Sequence, residues 1–248
     1  MTGMADDILT PAELAVAGAL ARGALYRLLG EAFAYPRAWR FQEMAHVAEM
    51  TAVAPTTPEP LRPPLARFAA AARDADPAAV AAEYVFLFDR QVRCPPYEGA
   101  YGAARGLAGK GAQLADVAGF YAAFGLRPAE AQADMEDHVA AELEFMSALA
   151  VKEAWALGEH DGDGLEVTRA AEVAFLRDHL GAWASAFARA VQSVTPLPFY
   201  VAAADVLAAW VEADGAALGI EPTRLEDADP VVEEEGFTCP MDRHEPRS

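Results

Sequence analysis

The sequence predicts an all-α fold, a single-domain helical bundle. Apolar residues recur at three- and four-residue spacing in segment after segment. Alanine runs such as Ala69-Ala70-Ala71-Ala72 favour helix, and alternation of β-branched residues is nearly absent. The chain of 248 residues is long enough to bury a substantial core. The expected organisation is one helical domain over 1–220 and an acidic, Pro-punctuated tail over 221–248, containing Glu233-Glu234-Glu235, that lacks fixed structure.

The first helix is expected to open at Thr10-Pro11, with Thr10 as N-cap and Glu13 in the first turn, and to run to about Ala34. Leu14, Leu25, Leu28, Leu29 and Phe33 form its core face. Tyr35-Pro36 ends it, and a second helix carries Phe41, Met44 and Val47. The stretch Ala54 to Pro60 is a Pro-rich connector, followed by helices near Leu65 to Ala72 and Pro77 to Phe88. In the latter, Val80, Tyr84, Leu87 and Phe88 share one face. Gln113 to Phe124 reads as a helix closed by Gly125, and a longer one spans about Asp134 to Leu157. One further helix holds Val173, Leu176, Leu180, Trp183 and Phe187. The last, after Thr195-Pro196-Leu197-Pro198, holds Phe199, Tyr200, Val206, Leu207, Trp210 and Val211.

Composition narrows the partners. The formal charge of −19 argues against nucleic acid or an anionic membrane surface and favours a cationic partner. Acidity also serves solubility, and the two explanations are compatible. Neither Cys94 nor Cys239 belongs to a Cys-x-x-Cys pair, so a disulfide or zinc scaffold is not expected. The acidic start lacks the layout of a secretory signal, and charges such as Arg22, Arg27 and Glu31 interrupt even the first helix. A cytoplasmic protein without membrane insertion is the expectation.

Two motifs stand out. Tyr84-x-x-Leu87-Phe88 leads into Pro95-Pro96-Tyr97-Glu98-x-x-Tyr101, an aromatic helix end running into a loop stiffened by two prolines. Further on comes Asp137-His138-Val139-Ala140-Ala141-Glu142-Leu143-Glu144-Phe145-Met146. Together, in this order, they resemble the signature of the TorD/DmsD/NarJ family of molybdoenzyme assembly chaperones. The chain departs from the family's pattern at Gly99, where Ser is common, and at Met135 or Glu136, where Pro often precedes the Asp-His pair.

The resemblance implies an all-helical cytoplasmic chaperone of the TorD/DmsD type. Such a protein binds the twin-arginine signal peptide, and often the body, of a molybdopterin-containing oxidoreductase subunit until its cofactor is inserted, before export. A peptide-binding role carries over to Tyr84, Leu87, Phe88, Pro96, Tyr97, Glu98, Asp137 and His138. An assembly factor of the NarJ type, serving an enzyme that is not exported, shares this physics and differs in client. No catalytic residue, metal ligand or cofactor is assigned, and the state is left open between monomer and helix-exchanged dimer. In this reading Asp137 sits at a groove rim, accepting bonds from a guanidinium, and His138 tunes the charge near neutral pH. The alternative is that Asp137 caps or charges the N-terminal turn of its helix and His138 fills a gap between helices.

A reading from another class is a metal-dependent helical-bundle enzyme using Asp134, His138 and Glu142, which are spaced one helical turn apart. The paired Glu-x-x-His motifs of such sites are missing. Gly102, Gly106, Gly109 and Gly111 around Lys110 lack the Gly-Lys-Ser/Thr ending of a phosphate loop. Gly158 to Gly164 matches a calcium loop in composition only, and an acidic turn is expected there. Cys94 reads as a small buried apolar residue.

Overall fold

The computed structural model describes residues 9–101, 107–127 and 136–220. Among these the protein is all-α: helices pack on one continuous core, with no strand beyond an isolated two-residue bridge. The expected tail over 221–248 lies outside the described residues, as do Cys239, Gly102, Gly106 and Asp134. No described helix is long and apolar enough to cross a membrane.

Helix α1 (Pro11–Phe33) starts where the sequence places it. Thr10 accepts the Glu13 N–H while the Glu13 carboxylate accepts the Thr10 N–H, a reciprocal cap contributing about 1 kcal/mol. Leu14 corrects the expected core face: it is half exposed, because burial along α1 begins only at Ala19. From there α1 lies against α6 (Val139–Glu159), its most extensive packing partner. Gly23 permits the approach, since a Cβ there would meet the Ser147 carbonyl oxygen at 3.3 Å, and the Ser147 hydroxyl donates to the Gly23 carbonyl.

Helices α2 (Phe41–Val53), α3 (Arg62–Arg73) and α9 (Pro198–Ala217) form the adjoining side, where the Phe199 ring meets Phe41 and Phe68. Helix α4 (Pro77–Tyr84) stops short of the expected end at Phe88. Residues Val85–Asp89 form one wider π turn closed by the Arg90 N–H on the Val85 carbonyl. Helix α5 (Leu107–Ala123) begins earlier than expected and includes Gly109, Lys110 and Gly111. Helix-forming alanines around them offset the roughly 1 kcal/mol that each glycine costs.

Two further boundaries differ from expectation. The helix expected from Asp134 starts at Val139, because His138 is extended and acts as its N-cap. The helix expected through Val173 and Phe187 is two, α7 (Gly162–Asp178) and α8 (Leu180–Val194), meeting at a corner at His179. That corner lets His179 reach the buried Glu98 and Trp183 the buried Glu142. The acidic turn before α7 shrinks to His160, left-handed at φ +57°, and Asp161, which caps α7 through the Gly164 N–H.

A buried ionic network clips four helices together. Arg22 of α1 reaches Glu153 of α6 at 2.6 Å, Asp214 of α9 at 2.8 Å and Glu172 of α7 at 3.3 Å. Tyr26 donates to Asp214 at 2.6 Å, and Arg169 holds the other Glu153 oxygen at 2.7 Å.

Candidate recognition site

The two sequence motifs meet in space. Tyr97 and His138 form an antiparallel bridge flanked by the Glu98 N–H donating to the Asp137 carbonyl at 2.9 Å and the Val139 N–H donating to the Pro96 carbonyl at 2.8 Å. Two prolines can produce this arrangement because they fix the incoming chain as extended and leave their carbonyls free to accept. The Asp137 carboxylate accepts the Gly99 N–H at 3.0 Å, and the His138 ring packs edge-on to Tyr97 at 5.3 Å.

Upstream, the chain enters this bend through a strained residue. Val92 has φ +42°, a conformation that β-branched residues avoid at a cost of about 1–3 kcal/mol. The Cys94 N–H on the Leu87 carbonyl at 2.9 Å fixes the following turn. Cys94 itself is fully buried, as expected, and burial pushes its thiol up to about 12.

The structure divides the eight sequence-predicted residues into two sets. Tyr84, Tyr97 and His138 are partly exposed, whereas Leu87, Phe88, Pro96, Glu98 and Asp137 are buried. Phe88 sits among Tyr84, Phe33, Phe187 and Tyr200 in the aromatic core. Asp137 is therefore not at a rim: at 7% exposure its carboxylate and its carbonyl both hold the Tyr97-Glu98 turn. Nor does His138 titrate near neutrality. Burial lowers it to about 4, and its Nδ1 accepts the Ala140 N–H at 3.1 Å, which requires that nitrogen to be unprotonated. His138, and not Asp137, is the residue that caps the helix.

The exposed face carries an aromatic patch that the sequence reading missed in part. Tyr35, 59% exposed at the end of α1, packs edge-on to Tyr84 at 5.3 Å. The Tyr84 hydroxyl is raised to about 12, by burial first and then by Tyr97, Asp89 and Tyr35, which places those groups around it. Tyr35 stands beside a helix-ending proline, so its sequence position suggests a turn and not a surface contact.

Behind the turn lies a buried carboxyl cluster. Glu98 is 2% exposed and Glu142 fully buried, and the two carboxyl groups are close enough to act on each other. His179 Nδ1 stands 3.2 Å from both Glu98 oxygens, and Trp183 Nε1 donates to Glu142 Oε2 at 3.0 Å. Burial raises Glu142 well above the usual carboxyl range. Repulsion from Glu98 and Asp137 adds to this, and only Trp183 opposes it strongly. His179 is raised as well: burial works against its charge, but Glu98, Asp116 and Asp178 outweigh that. A glutamate on the apolar stripe of Val139, Leu143 and Met146 was a legible signal of a buried acid. Its partners lie 44 and 41 residues away in sequence and were not.

His138 and Glu142 are thus committed to a helix cap and to Trp183, and the third member of the metal reading, Asp134, lies outside the described residues. Among the described residues no group of three or more His, Cys, Asp or Glu side chains could hold a metal ion.

No curated protein matches the chain. The family model described as nitrate reductase delta subunit matches residues 54–189, more than half of the sequence, and spans both the Pro-Pro-Tyr-Glu turn and the Asp-His turn. The chain therefore belongs to the nitrate reductase delta subunit family, a family of molybdoenzyme assembly chaperones.

Proposed function

We propose that this protein binds the signal peptide, and with it the cofactor-free form, of a molybdopterin-containing oxidoreductase subunit, holding it until cofactor insertion precedes export. The observation that carries this reading is the aromatic patch in which Tyr97 and His138, held by the bridged turn, stand beside Tyr84 at the end of α4 and Tyr35 after α1. A partly exposed aromatic surface on a rigid support suits an apolar peptide segment, because little conformational freedom is lost on contact. The net charge of −19 adds long-range attraction for the cationic start of a twin-arginine leader.

The eight residues then have different tasks. Tyr84, Tyr97 and His138 touch the client. Leu87, Phe88, Pro96, Glu98 and Asp137 shape the support, so replacing them perturbs the fold together with binding. Cytoplasmic residence fits a protein that must meet its client before export.

Titration of a synthetic twin-arginine leader by calorimetry tests this. Tyr97→Ala and Tyr84→Ala should each weaken binding about tenfold, equivalent to about 1.4 kcal/mol, with helical content unchanged. Equal affinities in both variants and the unmodified protein would place the site elsewhere. If the leader does not bind but a whole cofactor-free subunit does, the client is gripped by its body, as for an enzyme that is not exported.

A further inference from the structure

Glu142 is fully buried, and its Oε1 has no hydrogen-bond donor among the described residues, while Oε2 is taken by the Trp183 indole. An acceptor in that position is costly to leave without a donor. Its neighbour, the Glu98 carboxyl, is equally unable to donate when ionised. A proton on Glu142 resolves both problems, since Oε1–H becomes a donor and Glu98 its acceptor. Glu98 is then held from two sides, by Glu142 and by His179 Nδ1. It follows Tyr97 directly and ends the bridged pair, so whatever fixes Glu98 fixes Tyr97.

We propose that Glu142 is a positioning residue for the Tyr97-Glu98 turn, its protonated carboxyl donating a hydrogen bond to the Glu98 carboxylate and thereby making the geometry of the recognition surface depend on proton occupancy at this buried pair. The groups facing the pair come from every element around it. Glu98 is on the turn, Asp137 precedes α6, Tyr121 is on α5, His179 is at the α7–α8 corner and Trp183 is on α8. Asp116 and Asp178 act on His179 from the solvent side, where they share with it an open cleft of about 600 Å³. Four carboxylates and one imidazole surround the place where the proton sits. Loss of that proton sets two buried negative charges against each other, with His179 as their only nearby described cation, and the turn is pushed off the bundle. The link to client binding rests on the proposed recognition role; the link to the turn does not.

The experiment follows the full chain by nuclear magnetic resonance as pH is raised from the ordinary glutamate range into the alkaline range, because a raised carboxyl or imidazole keeps its proton beyond its ordinary value. The Glu142 side-chain carboxyl carbon reports its protonation. The amides of Glu98, Gly99 and Val139, which are bonded across the bridge, report the turn through protection factors corrected for intrinsic exchange. The expected result is a Glu142 titration well above the ordinary glutamate range, with a roughly tenfold loss of protection at those three amides over the same interval. The Ala34 amide, bonded to Gly30 in α1, should hold its protection. Glu142→Gln donates to Glu98 and accepts from Trp183 without titrating, so its three amides should keep the low-pH protection throughout.

A Glu142 carboxyl titrating in the ordinary range overturns the proposal, as does unchanged protection after it loses its proton. The same pH slope in Glu142→Gln as in the unmodified protein also overturns it. If that variant does not fold, the unmodified protein decides alone. None of these readings uses a client. Failure of the leader peptide to bind would therefore overturn the recognition role and leave this result standing, whereas leader affinity tracking the amide protection joins the two.

Discussion

The molecule contains two buried acid clusters built on different chemistry. Around Arg22, the acids Glu153, Glu172 and Asp214 meet guanidinium groups that stay charged at every accessible pH. Around Glu98, the acids Glu142 and Asp137 meet backbone N–H groups, an indole and His179, the one cation there among the described residues and one that titrates. The first joins helices α1, α6, α7 and α9; the second includes Glu98, the residue next to Tyr97 of the recognition surface. A permanent cation makes a clip, and a titratable one makes a joint whose strength follows pH.

The largest expected effect separates them. Arg22→Met keeps much of the stem's apolar contact and removes the charge, leaving Asp214 and Glu172 without their cation while Arg169 still serves Glu153. A loss of about 3–5 kcal/mol in denaturant-unfolding free energy at neutral pH is expected. Leader-peptide affinity of the remaining folded fraction should not change. A loss below 1 kcal/mol would mean that the network is not the clip described here.

The next effect is on pH. Glu142 and His179 are raised on folding, so the stability they contribute is fully present below their unfolded values and is lost as pH rises through their folded ones. His138 acts in the opposite sense: lowered to about 4, it contributes stability above its unfolded value near 6.5 that is lost as pH falls toward 4. Unfolding free energy should therefore fall as pH rises through the folded values of Glu142 and His179, and fall again as acid is added toward the folded value of His138. Stability that rises with pH from the ordinary carboxyl range upward through neutrality would break the assignment of a proton to the Glu98 cluster.

How much of this was legible follows from where the information lies. The capping box of Thr10 and Glu13 is local, within four residues, and the structure keeps it in every atom. The Pro-Pro-Tyr-Glu and Asp-His motifs were readable as a pair, and they do meet. Their exposure was not readable: the spacing of Tyr84, Leu87 and Phe88 puts three residues on one face without saying that only Tyr84 reaches the surface. The corner at His179 was hidden because helix-forming residues flank it, and the nearby Gly181 lies inside α8 and does not mark the break. A tertiary contact, His179 to Glu98 across 81 residues, accompanies the break that local propensity does not predict.

The smallest effect sharpens the comparison most, because it tests whether the clip also carries a surplus acid. Glu172 is fully buried and lies 3.3 Å from Arg22, farther than Glu153 or Asp214. Burial foremost, with repulsion from Glu153 and Asp214, raises it to about 7 despite the opposing pull of Arg22. Near neutrality it is thus partly protonated in the folded chain and ionised in the unfolded one, a cost that grows as pH rises from its unfolded value toward 7 and then levels off. Glu172→Gln keeps the shape and removes that cost. Relative to the unmodified protein, the variant should gain about 2 kcal/mol between pH 5 and pH 8, measured by denaturant unfolding at both values. Equal destabilisation at both would show Glu172 to be a full partner of Arg22, leaving the two clusters alike in needing every acid they contain.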